Sequence, residues 1–200
     1  MDDKGLHVVL DLDDVVLDFE GGVIEAVNRD FDTSFDIRNK TEYHLDTYLN
    51  PIIGRDWWAW LEDHAWLWGE KFKPVPGALG GIETLRAAGH WIQVVTAKPE
   101  WAEDQVWVWF AKYKPRVDEV TFAPMRDTSK AELSPDGDVL VDDKWENCLE
   151  WAETGRLAIL FTRPGNAHIA RYQPLPDHMV RANNWASVLR TIELEAEDVL

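Results

Sequence analysis

The chain is built on short apolar runs that end in acidic or hydroxyl residues, each set apart from the next by a segment of helical spacing. Leu6-His7-Val8-Val9-Leu10, Trp91-Ile92-Gln93-Val94-Val95 (ending at Thr96), Val139-Leu140-Val141 and Leu157 to Phe161 are such runs, and Glu119-Val120-Thr121-Phe122 is a further strand-forming segment without that polar end. They are too short for helices and, Glu119-Val120-Thr121-Phe122 apart, too continuously apolar for strands with a wet face, so they predict the strands of a parallel sheet. Between them, Ala78 to Ala88 closed by Gly89, Trp101 to Tyr113 stopped before Pro115, and Asn147 to Thr154 predict helices. Strands alternating with helices of this length make βαβ units, so the expected fold class is α/β, a Rossmann-like parallel sheet flanked by helices.

Residues 19–73 break that rhythm. From Phe19 to Lys73 the spacing is helical, tryptophan is frequent, and Asn50-Pro51 and Gly54 interrupt the pattern before Pro74-Val75-Pro76-Gly77 punctuates its end. The segment is too long for a simple crossover and too apolar for a loop. It is expected to be a small helical cap inserted after the first strand, with residues 1–18 and 74–200 forming the α/β core domain. The acidic run Glu193-Leu194-Glu195-Ala196-Glu197-Asp198 is read as a frayed helix end or tail.

Charge narrows the partners. Against 20 Lys+Arg the chain carries 37 Asp+Glu, a formal net charge of -17, which repels nucleic-acid polymers and anionic membranes. No run of apolar residues is long enough to span a bilayer. The start Met1-Asp2-Asp3-Lys4 is acidic and unlike a secretory signal. The single cysteine, Cys148, excludes an internal disulfide and suits a reducing compartment. A cytoplasmic protein is expected, with no nucleic-acid or membrane partner. A small phosphorylated ligand is compatible only if its pocket carries local positive charge. Oligomeric state is open, with a homodimer among the candidates.

Ligands of open α/β sheets gather at the carboxyl ends of the strands. There the predicted strands deliver Asp11 and Asp13, then Thr96, then Lys130 in the segment after the third strand, then Asp142-Asp143. One Asp-x-Asp carries little weight, because a chain of this acidity holds roughly seven acidic pairs at that spacing by chance. Two acidic clusters at the ends of two separate apolar strands mean more. Converging carboxylates repel unless a cation sits among them, and an oxygen-only ligand set on a partly rigid frame suits Mg²⁺.

In order and spacing, Asp11-Leu12-Asp13-Asp14-Val15, Thr96, Lys130 and Val141-Asp142-Asp143 resemble the four motifs of the haloacid dehalogenase superfamily over about residues 6–161. Asp13-Asp14-Val15-Val16-Leu17-Asp18-Phe19-Glu20-Gly21-Gly22, with Pro76-Gly77-Ala78, Thr96-Ala97-Lys98 and Val141-Asp142-Asp143-Lys144, is most similar to the 5'(3')-deoxyribonucleotidases. The resemblance implies an Mg²⁺-dependent phosphomonoester hydrolase acting on a small phosphorylated substrate, a nucleoside monophosphate above all. Asp11 would attack phosphorus to form an aspartyl-phosphate, and Asp13 would protonate the leaving alkoxide and then activate water. Thr96 and Lys130 would hold the phosphoryl oxygens, with Lys98 a second phosphate contact. Asp11, Asp13 (through its main-chain carbonyl), Asp142 and Asp143 would hold the metal. Phe19, Tyr43 and His44 would meet the base. A phosphatase for another metabolite such as a sugar phosphate, a phosphotransferase, or a catalytically silent binding protein of the same fold are the alternatives.

Several residues have plainer readings beside these. Thr96 could cap the helix that begins near Glu100, and Lys144 is expected to head a helix and point outward. Cys148 reads as a small buried hydrophobe, and His44 and His64 as helix-surface residues. Trp57, Trp58, Trp60, Trp66 and Trp68 are expected to fill the cap and pack it on the sheet, with one or two left to stack on a base. Trp101, Trp107 and Trp109 cannot share one helix face, so some of them are exposed.

Overall fold

The computed structural model describes residues 5–124, 128–169 and 174–199; the acidic start at residues 1–4 lies outside them. Six parallel strands form one sheet in the order β3-β2-β1-β4-β5-β6. They are β1 (His7–Leu10), β2 (Trp91–Ala97), β3 (Glu119–Ala123), β4 (Val139–Asp142), β5 (Leu157–Phe161) and β6 (Met179–Ala182). The four inner strands β1, β2, β4 and β5 are largely apolar on both faces because both are covered, whereas the edge strands β3 and β6 are only partly buried. Val8 and Leu10 join the apolar cluster on one side, and Val9, Val95, Leu140 and Leu160 join Cys148, Trp151 and Ala152 on the other.

Helices α5 (Ala78–Ala87), α6 (Glu100–Tyr113), α7 (Lys130–Leu133), α8 (Trp145–Glu153) and α9 (Trp185–Val199) join the strands or follow them. Helix α6 stops at Tyr113, one residue before the left-handed Lys114 that precedes Pro115. On α6, Trp109 is fully buried while Trp107 is 49% exposed, as successive 100° steps require. Helix α8 starts two residues earlier than the spacing indicates, because Lys144 is its N-cap. The sixth strand has no counterpart among the runs read from the sequence: Met179-Val180-Arg181-Ala182 is four residues long with a charge in it, too little pattern to read alone. The acidic C-terminal run proves to be the end of the long helix α9, not a separate tail.

Residues 19–73 carry α1 (Phe19–Asp30), α2 (Asp46–Ile53), α3 (Trp57–Asp63) and α4 (Trp66–Glu70). Pro51 lies inside α2 rather than ending it; the helix stops at Gly54, in the left-handed conformation (φ 76°) that glycine takes without strain. The chain leaves for this segment and returns from it side by side: Asp18 N–H donates to Lys73 O (2.8 Å) and Val75 N–H to Val16 O (2.8 Å). Trp57, Trp60 and Trp68 are buried there, whereas Trp58 and Trp66 are each 38% exposed. Among the described residues no helix is long and apolar enough to cross a membrane.

Candidate active site

The sheet order places β1 between β2 and β4, so the chain runs outward in opposite directions from that pair. This is the switch point at which the loops beyond the strand ends part and leave a crevice. Register then decides which side chains meet. Leu10 pairs with Val141, and Asp11 N–H donates to Val141 O at 2.9 Å, so Asp11 emerges beside Asp142. One carboxylate oxygen each from Asp11, Asp142 and Asp143 lie within 4.8 Å of one another.

Lys130 closes this group. It is the first residue of α7, whose start is set by a capping box: Ser129 Oγ accepts from Glu132 N–H, and Glu132 accepts from Ser129 N–H, both at 3.2 Å. The Lys130 ammonium donates to Asp11 Oδ1 and lies 2.7 Å from Asp142 Oδ2. Burial alone would lower its pKa, but the two carboxylates more than reverse that and raise it, so the lysine stays charged. Burial pushes the Asp11 carboxyl up to about 6, Lys130 opposing and Asp142 and Asp13 adding to the shift. Asp143 is raised well above the usual carboxylate range, first by burial and then by Asp14, Asp142 and Asp11. One ammonium, paired with Asp11 and Asp142, thus serves three clustered carboxylates, of which Asp142 and Asp143 are buried and Asp11 is partly so. A hard, oxygen-only donor set with excess negative charge fits a divalent cation, and Asp11, Asp142 and Asp143 are the residues that would hold it.

Asp13 lies two residues beyond Asp11 in a tight turn, where Val16 and Leu17 N–H both donate to Leu12 O (3.0 and 2.8 Å). Its Oδ2 accepts from Lys98 Nζ, while its Oδ1 is buried without a partner among the described residues. Lys98 does not line the cavity over the site: its side chain is 2% exposed, and its ammonium lies 5.8 Å from the Phe19 ring centroid and 5.6 Å from that of Trp68. Thr96 lies within β2, is 1% exposed and faces the cavity. It does not cap α6, whose N-cap is Pro99.

The cavity has a volume of about 1270 Å³. Its floor is Asp11, Asp13, Thr96, Lys130, Asp142 and Asp143; Phe19, Tyr43, His44, Trp57 and Trp58 form an aromatic wall. The Tyr43 hydroxyl donates to Asp143 Oδ1 at 3.5 Å, and burial beside Asp143 raises its pKa well above the usual tyrosine value. His44 stands edge-on to Tyr43 at 5.4 Å, in the segment ahead of α2 and not on a helix. Phe19 stacks on Trp68 at 5.0 Å and approaches Trp58 at 6.4 Å. Lys144 lines the cavity instead of pointing outward, because it directly follows Asp143 at the strand end and has not yet entered the helix.

A second layer of charge lies behind the site, among residues that the sequence pattern does not single out. Asp14 is 3% exposed with φ 61°, and accepts from Glu20 N–H (3.2 Å) and Arg163 Nη2 (2.8 Å). Arg163 also donates to Asp18, and Lys40 pairs with Glu20, both buried. Arg163 follows the carboxyl end of β5, so the strand-end rule that finds the other site residues reaches it too. Nothing local marks Lys40, whose partner lies 20 residues away on α1.

Fold and site together define a hydrolase with the Rossmann-like α/β fold of the haloacid dehalogenase type. Solved structures of that class superpose over most of the chain. The HAD-hydrolase YfnB from Bacillus subtilis, bound to magnesium, matches with a TM-score of 0.64 at 8% identity, covering 95% of this chain and 99% of that one. A D,D-heptose 1,7-bisphosphate phosphatase from B. bronchiseptica, complexed with magnesium and phosphate, matches with a TM-score of 0.54 at 15% identity (95% and 99%). A HAD-superfamily hydrolase from Ehrlichia chaffeensis gives a TM-score of 0.54 at 12% identity (96% and 97%). No curated protein matches the sequence. The chain belongs to the family described as 5' nucleotidase, deoxy (pyrimidine), cytosolic type C protein, whose model matches residues 5–198. It is therefore an enzyme of the phosphatase class.

Proposed function

We propose that the protein hydrolyses the phosphomonoester of a deoxyribonucleoside or ribonucleoside monophosphate, with Mg²⁺ as its metal. The observation that carries this reading is the meeting of Asp11, Lys130, Asp142 and Asp143 at the switch point, with Asp13 two residues beyond Asp11 and an aromatic wall above. Mg²⁺ bound by Asp11, Asp142, Asp143 and the Asp13 main-chain carbonyl would neutralise the phosphoryl charge and the crowding of the carboxylates. Asp11 attacks phosphorus, the ester oxygen leaves with a proton from Asp13, and Asp13 then takes a proton from the water that cleaves the aspartyl-phosphate. Lys130 and Thr96 hold the phosphoryl oxygens from fixed positions, so little reorganisation is needed as charge shifts. Residues 19–73 act as a cap that supplies Phe19, Tyr43, His44, Trp57 and Trp58 to the base side of the substrate.

Phosphate release from a panel of nucleoside monophosphates with Mg²⁺, compared between the native protein and Asp11→Asn, tests the reading. Release that needs Mg²⁺, favours nucleotides and disappears in Asp11→Asn is expected. Release from sugar phosphates or aryl phosphate alone would remove the nucleotide from the proposal and leave the phosphatase.

A further inference from the structure

The segment after β5, residues 162–169, reaches both halves of the site. Asn166 is fully buried, and its side chain is saturated. Its Nδ2 donates to Asp143 O at 2.6 Å and to Phe161 O at 2.8 Å. Its Oδ1 accepts from Arg163 N–H at 3.1 Å and from Arg181 Nη1 at 3.2 Å. An asparagine amide offers two donors and two acceptor sites, so all four are used and the side chain has one orientation. Three residues earlier, Arg163 Nη2 donates to Asp14 Oδ1 at 2.8 Å and to Asp18 Oδ1. Asp14 and Asp18 belong to the turn that carries Asp13, and Asp14 holds a positive φ of 61°, which a non-glycine residue keeps only where its surroundings enforce it.

We propose that Arg163 and Asn166 are positioning residues for the reaction, and that this one short loop sets the Asp13 turn and Asp143 at a fixed separation. The inference rests on the phosphomonoesterase reading above. Neither residue touches the floor of the site, and each acts through its neighbour: Arg163 through Asp14 and Asp18, Asn166 through the main chain of Asp143. The two acidic loops hang from different strands, β1 and β4, and β5 is the neighbour of β4, so a loop at its carboxyl end can reach both. A displacement of about 1 Å between reacting groups costs on the order of 100-fold in rate. Loss of a partner that orients a metal ligand costs roughly 10- to 100-fold in metal affinity.

The test uses the full chain and four variants: Arg163→Met, Arg163→Lys, Asn166→Ala and Arg163→Met/Asp18→Asn. Arg163→Met is expected to lower kcat by tenfold or more with little change in KM, and Arg163→Lys to recover part of the loss, since one ammonium replaces a planar fork. Asn166→Ala is expected to weaken Mg²⁺ binding, read by calorimetry without substrate, by roughly tenfold. The double variant removes a carboxylate that Arg163→Met leaves uncompensated. Its melting temperature should rise above that of Arg163→Met while kcat stays low, which separates positioning from mere stability. Variants that melt lower but keep native kcat and Mg²⁺ affinity overturn the proposal and leave the phosphatase reading standing. A native protein that binds Mg²⁺ and releases no phosphate, with binding weakened in Asn166→Ala, overturns the phosphatase reading and upholds the Asn166 half. A native protein that neither binds Mg²⁺ nor releases phosphate overturns both.

Discussion

The Lys130 ammonium stands 2.7 Å from Asp142 Oδ2, with the lysine side chain 9% exposed and the aspartate 1%. The same ammonium bonds Asp11, so it is the cation that lets two strand-end carboxylates coexist out of water. Removing one partner of a buried charge group costs about 3–5 kcal/mol, because the remaining charges lose their compensation. Lys130→Met is expected to lose stability of that order in EDTA and to regain part of it when Mg²⁺ is added. Urea denaturation with and without the metal reads this directly; an unshifted midpoint in EDTA would count against the role of Lys130 as the compensating charge.

Lys98 gives a second prediction. Its ammonium is held between Asp13 and the faces of Phe19 and Trp68, so it reaches the reaction through Asp13. Lys98→Met keeps the buried stem and leaves Asp13 with neither oxygen paired. If Asp13 moves the protons, kcat falls by tenfold or more, within the range general acid–base groups supply, while KM changes little. A rise in KM at constant kcat would instead assign Lys98 to the phosphate, as the sequence resemblance implies.

His90 carries a pH dependence remote from the site. It is 8% exposed, and its Nδ1 accepts from Leu6 N–H at 3.0 Å, a bond that requires that nitrogen to be unprotonated. Burial lowers its pKa below the ordinary 6.5. Well above pH 6.5 the ring is neutral in both folded and unfolded chains, and pH has no effect through it. As pH falls through that value the unfolded chain takes up the proton first. Stability therefore drops until the lowered folded pKa is passed, and then levels off. His90→Asn keeps an acceptor that does not titrate. Relative to this variant the native protein is expected to lose stability between about pH 7 and pH 5. Parallel stability curves for the two proteins over that interval would rule the effect out.

Trp185 ties α9 to the turn that bears Asp13. Its indole Nε1 donates to Val15 O at 2.8 Å, and its ring lies so close to α5 that a Cβ on Gly81 would stand 2.2 Å from Cε3. Trp185→Phe leaves a buried carbonyl without its donor, at a cost of about 1–3 kcal/mol. Gly81→Ala overpacks the contact at a similar cost, about 1–3 kcal/mol. Because the smaller ring makes room for the methyl group, the double variant is expected to be less destabilised than the sum of the two. Strict additivity in thermal unfolding would mean that the ring and Gly81 are not in contact.

The parallel sheet was legible in the sequence because its inner strands are covered on both faces, which calls for continuous apolar runs such as Val8-Val9-Leu10 and Val139-Leu140-Val141. That Asp11, Asp13, Thr96, Asp142 and Asp143 meet at one cavity was legible because strand-end residues in an α/β sheet converge at the switch point whatever the rest of the chain does. Lys130 needed the family resemblance to choose it over Lys144, and the structure puts both around the cavity. What pairs with what was decided only by the tertiary structure. Lys98 with Asp13, Lys40 with Glu20, Arg163 with Asp14 and Asp18, and Asn166 with Asp143 are each joined by hydrogen bonds between residues that the chain alone does not align. Apolar burial is non-directional and scales with local pattern, so a sequence displays it. Compensation of buried charge depends on distances of a few ångströms across the fold, and those distances exist only once the strands are in register.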